Sequence, residues 1–112
     1  MGNRNMKTLK FRQSLSDEII SGTKTATWRI FDDKDLSVGD KVALLVWESK
    51  EKFAEAEIIK VREKKLADVG EVDFIGHEKF ESRQDMLDNY KTFYGEKVNW
   101  DTVIKMIDFK LL

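Results

Sequence analysis

The stretch Gly22-Thr23-Lys24-Thr25-Ala26-Thr27-Trp28-Arg29 sets two cations and three hydroxyls within eight residues. Acyl transfer calls for that set: a hydroxyl nucleophile, a group to take its proton, and a cation to meet developing negative charge. In an extended chain, Thr25, Thr27 and Arg29 share one face while Ala26, Trp28 and Ile30 share the other. Lys24 then falls on the wrong face. It meets Thr27 only if the chain bends or bulges after Gly22, so a Lys24–Thr27 pair predicts such a bend. A lysine taken out of water beside Arg29 has its ammonium form disfavoured, which suits it to accept the Thr27 proton. The same composition also describes an ordinary edge strand, rich in Thr and guarded by charges.

The elements around this stretch follow from patterning. Leu9 and Phe11 alternate with polar residues as in a first strand. Ser16 is placed to cap a short helix, with Asp17 and Glu18 in its first turn, Leu15, Ile19 and Ile20 as its apolar stripe and Gly22 as its stop. A strand over 24–30 follows, then an acidic loop from Asp32 to Asp35 and a Ser37-Val38-Gly39-Asp40 turn. The run from Lys41 to Glu48 is apolar on both faces, as a central strand is. A connection over 49–52 leads to a strand over 53–62, whose pattern switches face part-way and so predicts a bulge. Ser82 caps the clearest helix: Met86, Leu87, Tyr90, Phe93 and Tyr94 fall at i, i+1, i+4, i+7 and i+8 before Gly95. A largely apolar strand over 103–112 closes the chain. Strands outnumber helices, which predicts an α+β fold: a small mixed β-barrel flanked by two or three helices.

Composition narrows the chemistry. The 112 residues suit one domain over 7–112, behind a loose tail at 1–6. There is no Cys and a single histidine, His77, so neither disulfides nor a zinc centre is expected and the chemistry should need no cofactor. His77 reads as a surface or hydrogen-bonded histidine. Trp28, Trp47 and Trp100 read as core or rim packing unless one is exposed beside the pocket. No run approaches the ~18 consecutive apolar residues of a membrane span, and the polar start lacks a signal-peptide core, which predicts a cytoplasmic protein with no membrane partner. Twenty Lys and Arg against twenty-one Asp and Glu leave a net charge of -1. Affinity for RNA would therefore need a local patch, with Lys7, Lys10 and Arg12, or Lys60, Arg62, Lys64 and Lys65, as candidates; a solvated face is the plainer reading of both.

Phe11-Arg12-Gln13, the Gly22 to Arg29 stretch with its K-T-x-T-x-R element, Val38-Gly39-Asp40 and the closing 106–112 segment together resemble the ASCH family, small PUA-like β-barrels associated with RNA. Within that superfamily the chain is most similar to the small bacterial acetylcytidine amidohydrolases, which use a Lys, a Thr and a Glu to remove an acetyl group from the cytosine amine. The resemblance implies catalytic roles for Lys24, Thr27 and Glu81, the last placed by a His followed four residues later by Glu, and substrate-binding roles for Gln13 and Arg29. Glu78 is the substitute if Glu81 points away. Trp28 departs from the family's aliphatic residue, and the Phe80 to Tyr94 helix is more aromatic than its counterpart, which bears on substrate identity more than on fold. The expected ligand is a modified nucleoside, or single-stranded RNA if the domain is a non-catalytic binding module. A ribonuclease is the third alternative, and the lack of a His pair speaks against ordinary acid–base RNA cleavage.

Overall fold

A computed structural model of the chain describes residues 6–31, 34–77 and 79–112. Five strands form one mixed sheet: β1 (Lys7–Phe11), β2 (Ala26–Ile30), β3 (Lys41–Val46), β4 (Lys52–Lys65) and β5 (Val103–Leu111). Their order is β1-β3-β4-β5-β2, with β1 parallel to β3 and the other pairs antiparallel. Two helices, α1 (Gln13–Ser21) and α2 (Arg83–Tyr94), flank the sheet, and two short 3₁₀ turns, 66–68 and 71–74, follow β4. This is the α+β architecture expected from the sequence, a curled half-barrel with helices at its side.

The curl has local causes. β4 runs for 14 residues and shifts register between Ile58 and Lys60, where one extra residue bends the strand. A second shift lies at Leu44 and Leu45 in β3. β1 and β2 are the two edges of the sheet, yet Arg29 Nη2 on β2 donates to the Lys10 carbonyl on β1 at 3.2 Å. The sheet therefore curls until its edges lie within one side chain of each other, leaving an open seam. Two apolar cores fill the molecule. Leu9, Phe11, Ile19, Leu44, Ile58 and Phe109 pack under α1, while Trp28, Leu66, Met86, Tyr90, Ile104 and Met106 pack under α2.

Ser82 caps α2 as expected, accepting from the Asp85 N–H at 3.0 Å. α1 differs. It starts four residues early, with Arg12 at the N-cap position and Gln13 as its first residue. Ser16 is buried inside the helix, and its hydroxyl donates back to the Arg12 carbonyl at 3.1 Å, so Asp17 and Glu18 lie beyond the first turn. A hydroxyl that satisfies itself on the preceding turn can sit in a core, which a capping reading overlooks. Ile20 is 58% exposed, so Ile19 and Leu15 carry the packing of this helix. The 37–40 turn forms as read: Asp40 N–H donates to the Ser37 carbonyl at 3.1 Å, and Lys7 pairs with the Asp40 carboxylate at 2.8 Å. That ion pair holds the Asp40 carboxyl below its ordinary range. Residues 1–5 of the expected tail, and Asp32 and Asp33 of the expected acidic loop, lie outside the described residues. Among the described residues no helix is long and apolar enough to cross a membrane.

Candidate functional site

The bend required after Gly22 is present. Gly22 closes α1 at φ +88°, a left-handed conformation that an L side chain rarely adopts. The N–H groups of Thr23 and Lys24 both donate to the Glu18 carbonyl, at 2.9 and 3.1 Å, which turns the chain before any strand begins. Strand alternation starts only at Ala26. Lys24 is thereby released from the face that a strand starting at residue 24 would impose. Lys24 and Thr27, 2% and 5% exposed, line one cavity together with Arg29.

Gly76 holds this junction from the other side. Its carbonyl accepts from the N–H groups of both Thr25 and Ala26, at 2.8 and 3.1 Å. The contact is so close that a Cβ on Gly76, already at φ +76°, would collide with the Thr25 hydroxyl. The segment after β4 is tied down further by Asp73, whose carboxylate is wholly buried and pairs with Arg62 and Lys64, each at 2.9 Å. Burial pushes the Asp73 carboxyl up. The Gly70 N–H, Lys64 and Arg62 outweigh it and bring it to about 2. Two cations of the candidate RNA patch are thus committed to holding the fold. Lys7 of the other candidate patch is likewise paired.

The cavity lies at the seam between the sheet edges and encloses about 310 Å³, at the lower end of the range for small-molecule sites. β2 supplies Thr27, Trp28 and Arg29, β1 supplies Lys10 and Phe11, and α2 supplies Asn89, Tyr90, Phe93 and Tyr94. Arg29 Nε donates to the Thr27 hydroxyl at 3.2 Å, and its guanidinium lies 4.9 Å from the Phe11 ring centroid. A hydroxyl that accepts from a guanidinium still has its own proton to give, and the same cation lies close enough to meet negative charge developing on a carbonyl that this hydroxyl attacks.

His77 is buried, which excludes the surface placement of the two the sequence suggested, surface or hydrogen-bonded, and it lines the cavity. It stacks on Trp28 with ring centroids 4.1 Å apart and planes 18° from parallel. From Trp28 a row of rings continues through Phe74, Phe80, Tyr90 and Tyr94, joining β2 to α2 across the wall of the site. The aromatic character of α2 thus lies partly in this wall. Of the three tryptophans, Trp28 is core, Trp100 packs against the second core, and Trp47 stands 49% exposed at the mouth of the cavity.

Two expected site residues are elsewhere. Gln13 is exposed at the start of α1, donates to Asp17 at 3.0 Å, and does not line the cavity. Its place as first residue of a helix that starts early turns it away. Glu81 is also exposed and outside the lining; its backbone N–H reaches Asp85 at 3.4 Å. Glu78 lies outside the described residues. Sequence reasoning missed Gly76, Asn89 and Tyr90 as parts of the site. Tyr90 is readable only as helix stripe and Asn89 only as its polar neighbour, and nothing short of the fold shows which end of that stripe meets the seam.

The curl, the seam and the flanking helices define the ASCH-domain fold, and solved structures agree. Neither a protein-family model nor a curated protein sequence matches the chain. The ASCH domain of Lactobacillus crispatus superposes with a TM-score of 0.70 at 16% identity, over 94% of this chain and 79% of that one. A protein of Enterococcus faecalis from the DUF984 family gives 0.72 at 17% identity, over 88% and 70%. A variant of the ASCH protein of Zymomonas mobilis gives 0.65 at 13% identity, over 92% and 66%. At these identities the likeness is one of fold.

Proposed function

We propose that the seam cavity binds an acylated cytidine and hydrolyses its amide. The observation that carries this reading is the burial of Lys24 and Thr27 in one cavity, with Arg29 bonded to the Thr27 hydroxyl. Thr27 Oγ attacks the acyl carbonyl while Lys24 takes its proton, and Arg29 stabilises the oxyanion. Collapse breaks the C–N bond, the proton passes to the departing cytosine amine, and the acyl group remains on Thr27 as an ester. Water then cleaves that ester to the free acid and restores the hydroxyl. The resemblance also calls for a Glu to activate this water. The exposure of Glu81 speaks against that residue in the role.

Incubating the protein with N4-acetylcytidine tests the proposal, with release of cytidine and acetate expected. No hydrolysis, together with single-stranded RNA binding that weakens steeply with salt, would replace the enzyme with a binding module. The pairing of Arg62 and Lys64 with buried Asp73 favours the enzyme, because it removes two of the cations such a module would offer to phosphates.

A further inference from the structure

The mouth of the seam cavity combines cations with exposed rings. Lys10 Nζ lies 5.6 Å and Lys50 Nζ 4.1 Å from the Trp47 ring centroid, and the Arg12 guanidinium lies 5.3 Å from that of Phe93. Trp47 and Phe93 are 49% and 58% exposed, so neither ring is placed there to fill a core. Among the described residues no carboxylate pairs with Lys10, Lys50 or Arg12, and none lines the cavity. The neighbouring Glu48 carboxylate is turned to the Gln13 N–H at the start of α1, at 2.9 Å. A neutral nucleoside leaves the charge of these cations unmatched, whereas a phosphate on its ribose supplies anionic oxygens for Lys10 and Arg12, which both line the cavity.

We propose that the mouth is a phosphate subsite, so that the ligand of the cavity is a phosphorylated cytidine and not the free nucleoside. The inference rests on the reading that a cytosine base enters the cavity. It adds that Lys10 and Arg12 contact the phosphate attached to that base's ribose. The phosphate is either that of a mononucleotide or one within a strand, since both present the same oxygens.

Calorimetric affinities for cytidine, 5′-CMP, 3′-CMP and the dinucleotide CpC separate these cases without depending on turnover. At low salt at least one phosphorylated ligand should bind about tenfold or more tighter than cytidine, the scale of a charge-assisted hydrogen bond at a partly exposed site. A gain with either monophosphate assigns a nucleotide, and a gain with CpC alone assigns a strand. Arg12→Gln and Lys10→Gln should remove the gain, measured as the ratio to each variant's own cytidine affinity, whose persistence also reports that the variant is folded, and Arg12→Lys should keep part of it. Equal affinity for all four ligands would overturn the subsite, as would a gain that survives both substitutions. Failure of the acyl-hydrolysis reading shows separately, as phosphate-dependent binding without release of acetate from the acylated ligand.

Discussion

Gly76→Ala should damage both stability and the site, by an amount the structure allows to be divided. The new methyl would sit at φ +76°, which costs about 1–2 kcal/mol for an L residue. It would also collide with the Thr25 hydroxyl on a β-branched side chain that has few rotamers to retreat to, adding about 1–3 kcal/mol. Lower entropy of the unfolded chain returns roughly 0.4–1 kcal/mol, so the net loss should be about 2–4 kcal/mol. Thr25→Ala removes the obstructing oxygen from an exposed residue and should by itself change stability by less than ~1 kcal/mol. In the double variant the collision disappears and the backbone cost stays, so the two substitutions should couple favourably by about 1–3 kcal/mol. Urea unfolding of the four proteins measures this cycle, provided the slope with denaturant is constant. Additive effects, or a Gly76→Ala protein as stable as wild type, would refute the close approach that anchors the start of β2.

The buried Asp73 should make the fold acid-sensitive. Its folded value of about 2 lies below the ordinary 3.8, so its contribution is present above pH ~4 and is lost as the pH falls through 2. The full shift corresponds to about 2 kcal/mol, and the 34% exposure of both Arg62 and Lys64 reduces the expected loss to about 1–2 kcal/mol. Urea midpoints at pH 5 and pH 2 for wild type and Asp73→Asn check this, with the variant less stable at pH 5 and flatter between the two. Glu81→Gln should leave hydrolysis within about twofold of wild type, because the side chain is exposed outside the cavity lining; a loss of a hundredfold in kcat would return Glu81 to the mechanism.

Local chemistry made much of this fold readable. The Ser82 cap, the 37–40 turn and the face switch in β4 each depend on neighbours within one or two turns of chain, and each formed as expected, while of the α2 stripe Met86, Leu87 and Tyr90 are buried and Phe93 is exposed. The need for a bend before Thr27 was readable too, because alternation along a strand leaves Lys24 no other way into the cavity. What sequence reasoning missed is set by tertiary approach. Ser16 looks like a cap until the core claims it, Arg62 and Lys64 look like a solvated stripe until Asp73 folds back under them, and Gly76 looks like any loop glycine until Thr25 is seen against it. Gln13 and Glu81 were carried by likeness of motif, which gives order along the chain and not the direction a helix end faces.

The central claim is that Thr27 is the nucleophile of the seam cavity, and Thr27→Ala tests it most directly when hydrolysis and binding are measured on the same preparation. A nucleophile acts in the transition state, while groups that hold the ligand act in the ground state as well. Acetylcytidine hydrolysis should fall by several orders of magnitude while cytidine affinity stays within about threefold of wild type. Hydrolysis that persists in Thr27→Ala at near wild-type rate would contradict the account, as would a wild-type protein that binds cytidine and never releases acetate.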